Sequence, residues 1–153
     1  MTPFLLSLIA DPQTKAPLKL QDAVYEGELI IKGTLVSDNG NEFSIVHGIP
    51  RFVKDKDRTS VDSFGDEWNF FNFIDFKVQW LNHTVKNTFG STDYFRDKII
   101  VDAGGGSGSQ AKWFLEYGAK HVILLDLSHS VDDVVKNNLI GFNNVDVVQC
   151  SID

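Results

Sequence analysis

Asp102, Gly104, Gly106, Gly108 and, further along, Asp126 are the residues of this chain whose types and spacing fit a ligand. The stretch Ile99-Ile-Val-Asp-Ala-Gly-Gly-Gly-Ser-Gly108 joins a β-branched apolar run to an acid and then to alternating glycines. The run predicts a buried strand, the glycines a tight turn, and residues 109–117 the helix that follows. Glycine lacks a Cβ, so it reaches unusual φ values and lets a ligand lie against the backbone. Amides that open a helix also attract negative charge. A dinucleotide fingerprint has the form G-x-G-x-x-G, but counted from Gly104 its last glycine would be residue 109, which is Ser. The register that holds is acid-x-G-x-G-x-G.

The elements downstream fit a nucleoside site. His121-Val-Ile-Leu-Leu-Asp126 predicts a second strand ending in an acid, followed by Leu127 and Ser128. Asp126 stands 24 residues after Asp102, near the separation of about 20 at which an acid accepts hydrogen bonds from ribose hydroxyls. A helical stretch from Ser130 to Asn138 carries Val131, Val134 and Val135 as its apolar face, with Ser128 or Ser130 as cap. Val145-Asp-Val-Val-Gln149 predicts a third strand. The result is β-α-β-α-β with right-handed crossovers and binding groups at the carboxyl ends of the strands.

The run "VDAGGGSGSQAKWFLEYGAKHVILLDLS" resembles class I S-adenosylmethionine-dependent methyltransferases along its whole length. That resemblance implies a partial Rossmann-like, three-layer α/β/α unit with S-adenosylmethionine as cofactor and transfer of a methyl group as the reaction. It places the glycine turn (Gly104, Gly106, Gly108) at the methionyl part and Asp102 at the amino-acid end. Asp126 and Leu127 fall at the ribose. Family members carry an acid near position 151 for the adenine amino group; here the residue is Ser151, with Asp153 close by to compensate. The family's sheet has seven strands and this sequence supplies three. The chain therefore reads as a fragment: inactive as given, without a nameable catalytic base, and prone to self-association through an uncovered first strand.

Composition narrows the partners. The 153 residues are 42% hydrophobic and 23% charged, ordinary for a globular protein. A formal charge of −7 disfavours a nucleic-acid partner, and a small-molecule acceptor is favoured. Cys150 is the one cysteine, so no intrachain disulfide forms. Phe4-Leu-Leu-Ser-Leu-Ile-Ala10 lacks a basic flank and reads as a short buried helix from Pro3 to Ile9. No stretch approaches a membrane span, and a cytoplasmic location is the default.

Three parts are expected: 1–53, 54–98 and 99–153. In the first, short strands near Leu18–Leu20, Glu28–Lys32 and Glu42–Ile45 are separated by Gly27, Gly33 and Asn39-Gly40. "LLSLIADPQTKAPLKL" and "EFSIVHGIPRFV" are similar to the small, zinc-ribbon-like Trm112-like domain. Where zinc-binding members carry cysteine pairs, this chain has Asp11 and Thr14, then about Val36 and Asn39. A structural zinc needs four soft or imidazole ligands, so no metal is expected. His47 is read as a turn or surface residue, and the unit is expected to lean on the rest of the chain.

The second part opens on a charged linker, Lys54 to Arg58, followed by Phe64, Trp68, Phe70, Phe71, Phe73, Phe76 and Trp80. These aromatics are read as packing between the small domain and the sheet, or as a lid whose faces attract a sulfonium cation. Two other functions compete with a methyltransferase. One is a non-catalytic module that activates a methyltransferase; the other, weakened by the glycine register, is a nicotinamide-dependent oxidoreductase.

Overall fold

The computed structural model describes residues 1–53 and 73–152. The expected linker and Phe64, Trp68, Phe70 and Phe71 lie outside the described residues, as does Asp153. A single helical turn, α1 (Pro3–Leu6), leads into an antiparallel meander of β1 (Leu18–Glu26), β2 (Leu29–Ser37), β3 (Glu42–Val46) and β4 (Ile49–Pro50). The helix is shorter than predicted, and of its four residues Leu5 alone is buried while Leu8 beyond it is half exposed. Thr2 caps it, its hydroxyl accepting from the Leu5 amide. The strands run longer than the sequence predicts. Gly33, expected at a turn, sits inside β2 opposite the irregular pairing of β1 between Gln21 and Val24.

The second half is a parallel sheet in the order β5 (Ile99–Ala103), β6 (His121–Asp126), β7 (Val145–Gln149). Ala103 pairs with Leu125 and Asp126 with Gln149, so the three strands end within one residue of the same level. The crossovers are α3 (Ser109–Glu116) and a 3-10 turn (His129–Asp132) continuing into α4 (Val134–Asn138). Ser128 precedes that turn without capping it, because its hydroxyl is held by Asp126 and Ser130. Before β5, a helical segment tightens and widens in turn: 3-10 over Phe73–Phe76, α2 over Lys77–Gln79, π over Trp80–Phe89.

Alternation along β6 divides the core. Val122 and Leu124 face a helical layer with Trp80, Phe95, Trp113 and Phe114, whereas Ile123 joins Val148 against Met1, Leu5, Ile30, Leu35 and Ile45 of the meander. This corrects the expected α/β/α layering: among the described residues the second face of the sheet is covered by the β-module, giving α/β/β. It also relocates Trp80, which packs on Phe95, Trp113, Phe114 and Tyr117 in the helical layer and not between module and sheet. The module stops short of β5, leaving Ile99 and Val101 half exposed on an edge strand. No helix among the described residues is long and apolar enough to cross a membrane.

The module is fastened to the sheet by buried polar groups. Asp146 accepts from the Thr2 amide at 2.7 Å and hydroxyl at 2.5 Å and contacts His121 Nε2 at 2.9 Å. The Phe52 amide donates to Gln149 O, and Arg51 bridges Gln149 in parallel, so the chain after β4 covers the outer edge of β7.

Inside the module, three of the four positions compared with zinc ligands, Asp11, Thr14 and Asn39, take part in local hydrogen bonds, and Val36 sits in β2. Buried Asp11 accepts from the amides of Gln13 (2.8 Å) and Thr14 (3.2 Å) and from Asn41 Nδ2 (2.8 Å), while Ser37 bonds to Asn39. Burial opposes the charge, but Asn41, Gln13, Ser37 and Thr14 outweigh it and hold the Asp11 carboxyl well below the usual range. A depressed folded-state pKa contributes stability above the unfolded value of 3.8 that is lost as pH falls through the folded value. Asp11→Asn is therefore expected to be less stable than the parent at pH 7 in urea unfolding, with the gap closing below pH 3.8. A gap that persists undiminished in acid would contradict this role.

Candidate functional site

The carboxyl ends of β5 and β6 converge on the glycine turn. Gly104 and Gly105 donate to Leu125 O at 2.8 and 3.1 Å, and Gly108 donates to Gly105 O. The Gly106 amide donates to Asp126 Oδ2 at 2.8 Å. Four amides of the turn are thus satisfied by the protein itself, so the predicted attraction of a negative group does not rest on these four. Gly104 and Gly106 both have positive φ, the conformation for which glycine is suited.

Gly105, which the alternating register passed over, is required for packing. A Cβ there would lie 2.5 Å from Leu124 Cγ and 2.7 Å from its Cδ1, and Leu124 is fully buried in β6.

Asp126 is the hub. It is 6% exposed; its Oδ1 accepts from the Ser128 amide (2.8 Å) and hydroxyl (2.6 Å), and its Oδ2 from Gly106. A carboxylate offers roughly four lone-pair positions, so one remains, on Oδ2. Ser130 continues the network, contacting the Ser128 hydroxyl and donating to Gly106 O at 3.0 Å.

Asp102 stands in contrast. Its Oδ2 is buried without a hydrogen-bond partner among the described residues. Burial drives its pKa up to about 6, opposed by the Ala111 amide and reinforced by the charge of Asp126. Ionising it inside the chain costs about 3 kcal/mol more than in water. A buried acceptor in that state is a place for a cation or donor to dock. Cys150 is the opposite case: burial, then Asp126, pushes its thiol up to about 11, which removes it as a nucleophile near neutrality.

A cavity of about 420 Å³ opens beside the turn. Gly104, Gly105 and Gly106 line it together with the aromatic rings of Phe73, Phe76, Trp80 and Trp113 and with Gln79, His83, Thr84 and Gln110. Gln110 accepts from Trp80 Nε1 at 3.2 Å. Asp102, Gly108, Asp126, Leu127 and Ser151 lie outside the lining. Gly108 instead opens α3, and Ser151 is exposed just past β7. Its neighbour Ile152 reaches the turn: a Cβ on Gly104 would sit 3.8 Å from Ile152 Cδ1. His83 and Thr84 were not predicted as site residues. Their helical spacing from Phe76 and Trp80 is the sequence signal that could have found them.

No protein-family model matches the chain. Over 99 residues, 58% of its length, the chain is 30% identical to protein arginine N-methyltransferase 1 of Oryza sativa subsp. indica and covers 24% of it. Against the enzyme of the same name from Saccharomyces cerevisiae, identity is 30% over 89 residues, covering 52% of this chain and 26% of the relative. Among solved structures, the Trypanosoma brucei PRMT1 enzyme–prozyme heterotetrameric complex with AdoHcy matches at 31% identity over 37% of this chain and 19% of that one, with a TM-score of 0.33. The chain spans about a quarter of the length of the curated relatives it matches.

Gly105→Ala tests the packing of the turn. The added methyl must displace buried Leu124, which is expected to lower stability by about 1–3 kcal/mol in urea unfolding. An unchanged midpoint would show that the turn is not seated on β6 as described.

Proposed function

We propose that this chain carries the cofactor-binding part of an S-adenosylmethionine-dependent methyltransferase. The observation that carries the reading is the unpartnered, buried Oδ2 of Asp102 beneath a glycine turn that borders an aromatic-walled cavity. The sequence matches to protein arginine N-methyltransferases support it. When bound, the cofactor supplies a methyl group on a sulfonium, open to displacement by an acceptor.

The chain's own residues divide the binding. Asp102 accepts from the ammonium of the methionyl end, which offsets the charge that burial disfavours. Gly104 and Gly106 let the ligand approach the backbone. Asp126 accepts one ribose hydroxyl on its remaining lone pair while keeping Gly106 and Ser128 in place. Leu127 flanks the ribose, and Ser151 serves the adenine. The faces of Phe73, Phe76 and Trp80 suit a sulfonium cation, and positioning is the main catalytic contribution of such a site. The module of residues 1–53 is read as Trm112-like and metal-free, with the hydrogen bonds of Asp11 replacing the metal.

The relatives are named for arginine, but no carboxylate is present among the described residues lining the cavity to pair with a guanidinium. A small acceptor is therefore the reading favoured here. A nicotinamide dinucleotide is disfavoured because its pyrophosphate seeks helix and turn amides, and Gly106 gives its amide to Asp126.

S-adenosylhomocysteine should bind in calorimetry and NAD should not. Because Asp102 holds its proton below about pH 6 in the free chain, docking an ammonium against the ionised carboxylate expels that proton. Affinity should accordingly rise about tenfold per pH unit as pH climbs towards 6 and level off above it. Asp102→Asn should bind weakly at every pH and lose this slope. Tight NAD binding without S-adenosylhomocysteine binding would overturn the reading.

A further inference from the structure

The module bonds the 127–132 loop through the side chain of Arg51. Arg51, just past β4, has a largely buried guanidinium, 14% exposed. Its Nη1 donates to Gln149 Oε1 at 2.9 Å and its Nη2 to Asp132 Oδ1 at 2.5 Å. Gln149 Nε2 in turn lies 3.1 Å from Leu127 O and 3.3 Å from Ser128 O. The guanidinium therefore holds one end of the segment, Asp132, directly and the other, Leu127 and Ser128, through Gln149.

The chemistry of Gln149 makes the arrangement directional. A glutamine amide has one accepting end and one donating end. Arg51 only donates, so it fixes Oε1 towards itself and the NH₂ towards the two carbonyls. One of those carbonyls belongs to Ser128, whose amide and hydroxyl bond Asp126 Oδ1, and the Ser128 hydroxyl in turn contacts Ser130, which bonds Gly106 O. Without the guanidinium, Gln149 Oε1 would be buried without this donor and the amide free to turn over. The Asp132 carboxylate would also lose its short ion pair, leaving His47 Nδ1 at 3.9 Å.

We propose that Arg51 is a positioning residue by which the N-terminal module orders the 127–132 loop, and through it the Asp126–Gly106 contact, for the adenosine end of the cofactor. The ordering of the loop stands on the geometry alone; its effect on affinity rests on the cofactor reading above. The module is then part of the binding site in function, although its residues do not line the cavity.

The test compares the full chain with Arg51→Met, Arg51→Lys, Gln149→Leu and the double variant Arg51→Met/Gln149→Leu. Leu35→Ala, a cut in the module core that removes no member of the relay, serves as the stability control. In amide hydrogen exchange, Arg51→Met should raise the rates of Ser128 and Gly106 at least tenfold, and Leu35→Ala should not single them out. In calorimetry, Arg51→Met should weaken S-adenosylhomocysteine and 5′-methylthioadenosine by the same factor, about tenfold or more. The second ligand lacks the amino-acid end, so equal losses locate the defect at the adenosine side. Gln149→Leu should match that loss, the double variant should add little to it, and Arg51→Lys should restore only part.

Unchanged exchange at Ser128 and Gly106, or independent losses from Arg51→Met and Gln149→Leu, would overturn the proposal. So would a loss for Leu35→Ala equal to that for Arg51→Met. If the parent chain binds neither ligand, the cofactor reading falls, and the exchange data still decide whether Arg51 orders the loop.

Discussion

One buried carboxylate joins the parts of this structure. Asp126 closes β6, bonds the amide at the centre of the glycine turn and bonds Ser128 in the loop beyond. Burial raises the pKa of Asp102 across the turn, and the neighbouring Asp126 carboxylate adds to that rise. The two acids thus differ: Asp126 has three donors, whereas Asp102 has a buried oxygen with no hydrogen-bond partner among the described residues.

The same economy of polar contacts explains why a small β-module can stand on the parallel sheet. Ile123 and Val148 supply an apolar face, and the module supplies Leu5, Ile30, Leu35 and Ile45 to cover it. Burial of that kind is non-directional and does not set a register. Asp146 does so at one end of the sheet, accepting from Thr2 and contacting His121; Arg51 does so at the other, with Gln149 and Asp132. Within the module, Asp11 joins the turn of Gln13 and Thr14 to Asn41.

The parallel half was legible in the sequence because its signals are local. Three apolar runs, a glycine turn and acids at strand ends predict β5, α3, β6 and β7 almost to the residue. What stayed hidden depends on tertiary contact. Nothing in Gly105 itself announces that Leu124 fills the space where a side chain would go. The one-turn α1 was over-extended because Leu8 and Ile9 continue the apolar run although the Ser7 to Asp11 stretch leaves the helix. The second layer is not legible because the unbroken apolar run of β6 states that both faces are covered, not by what. Trp80 shows the same ambiguity: its aromatic neighbours belong to α3 and to the segment before β5, which no spacing rule connects.

The central claim is that the turn between Asp102 and Asp126 is a cofactor cradle, and the Gly106 amide is its most direct reporter. In the ¹H–¹⁵N spectrum of the full chain, S-adenosylhomocysteine should shift Gly104, Gly106 and Ser128 most. The Gly106 proton should remain in the downfield position of a bond to a carboxylate, because Asp126 has a lone pair to spare for the ribose. Shifts confined to residues outside the turn and the 127–132 loop, or no shifts at saturating ligand, would contradict the account.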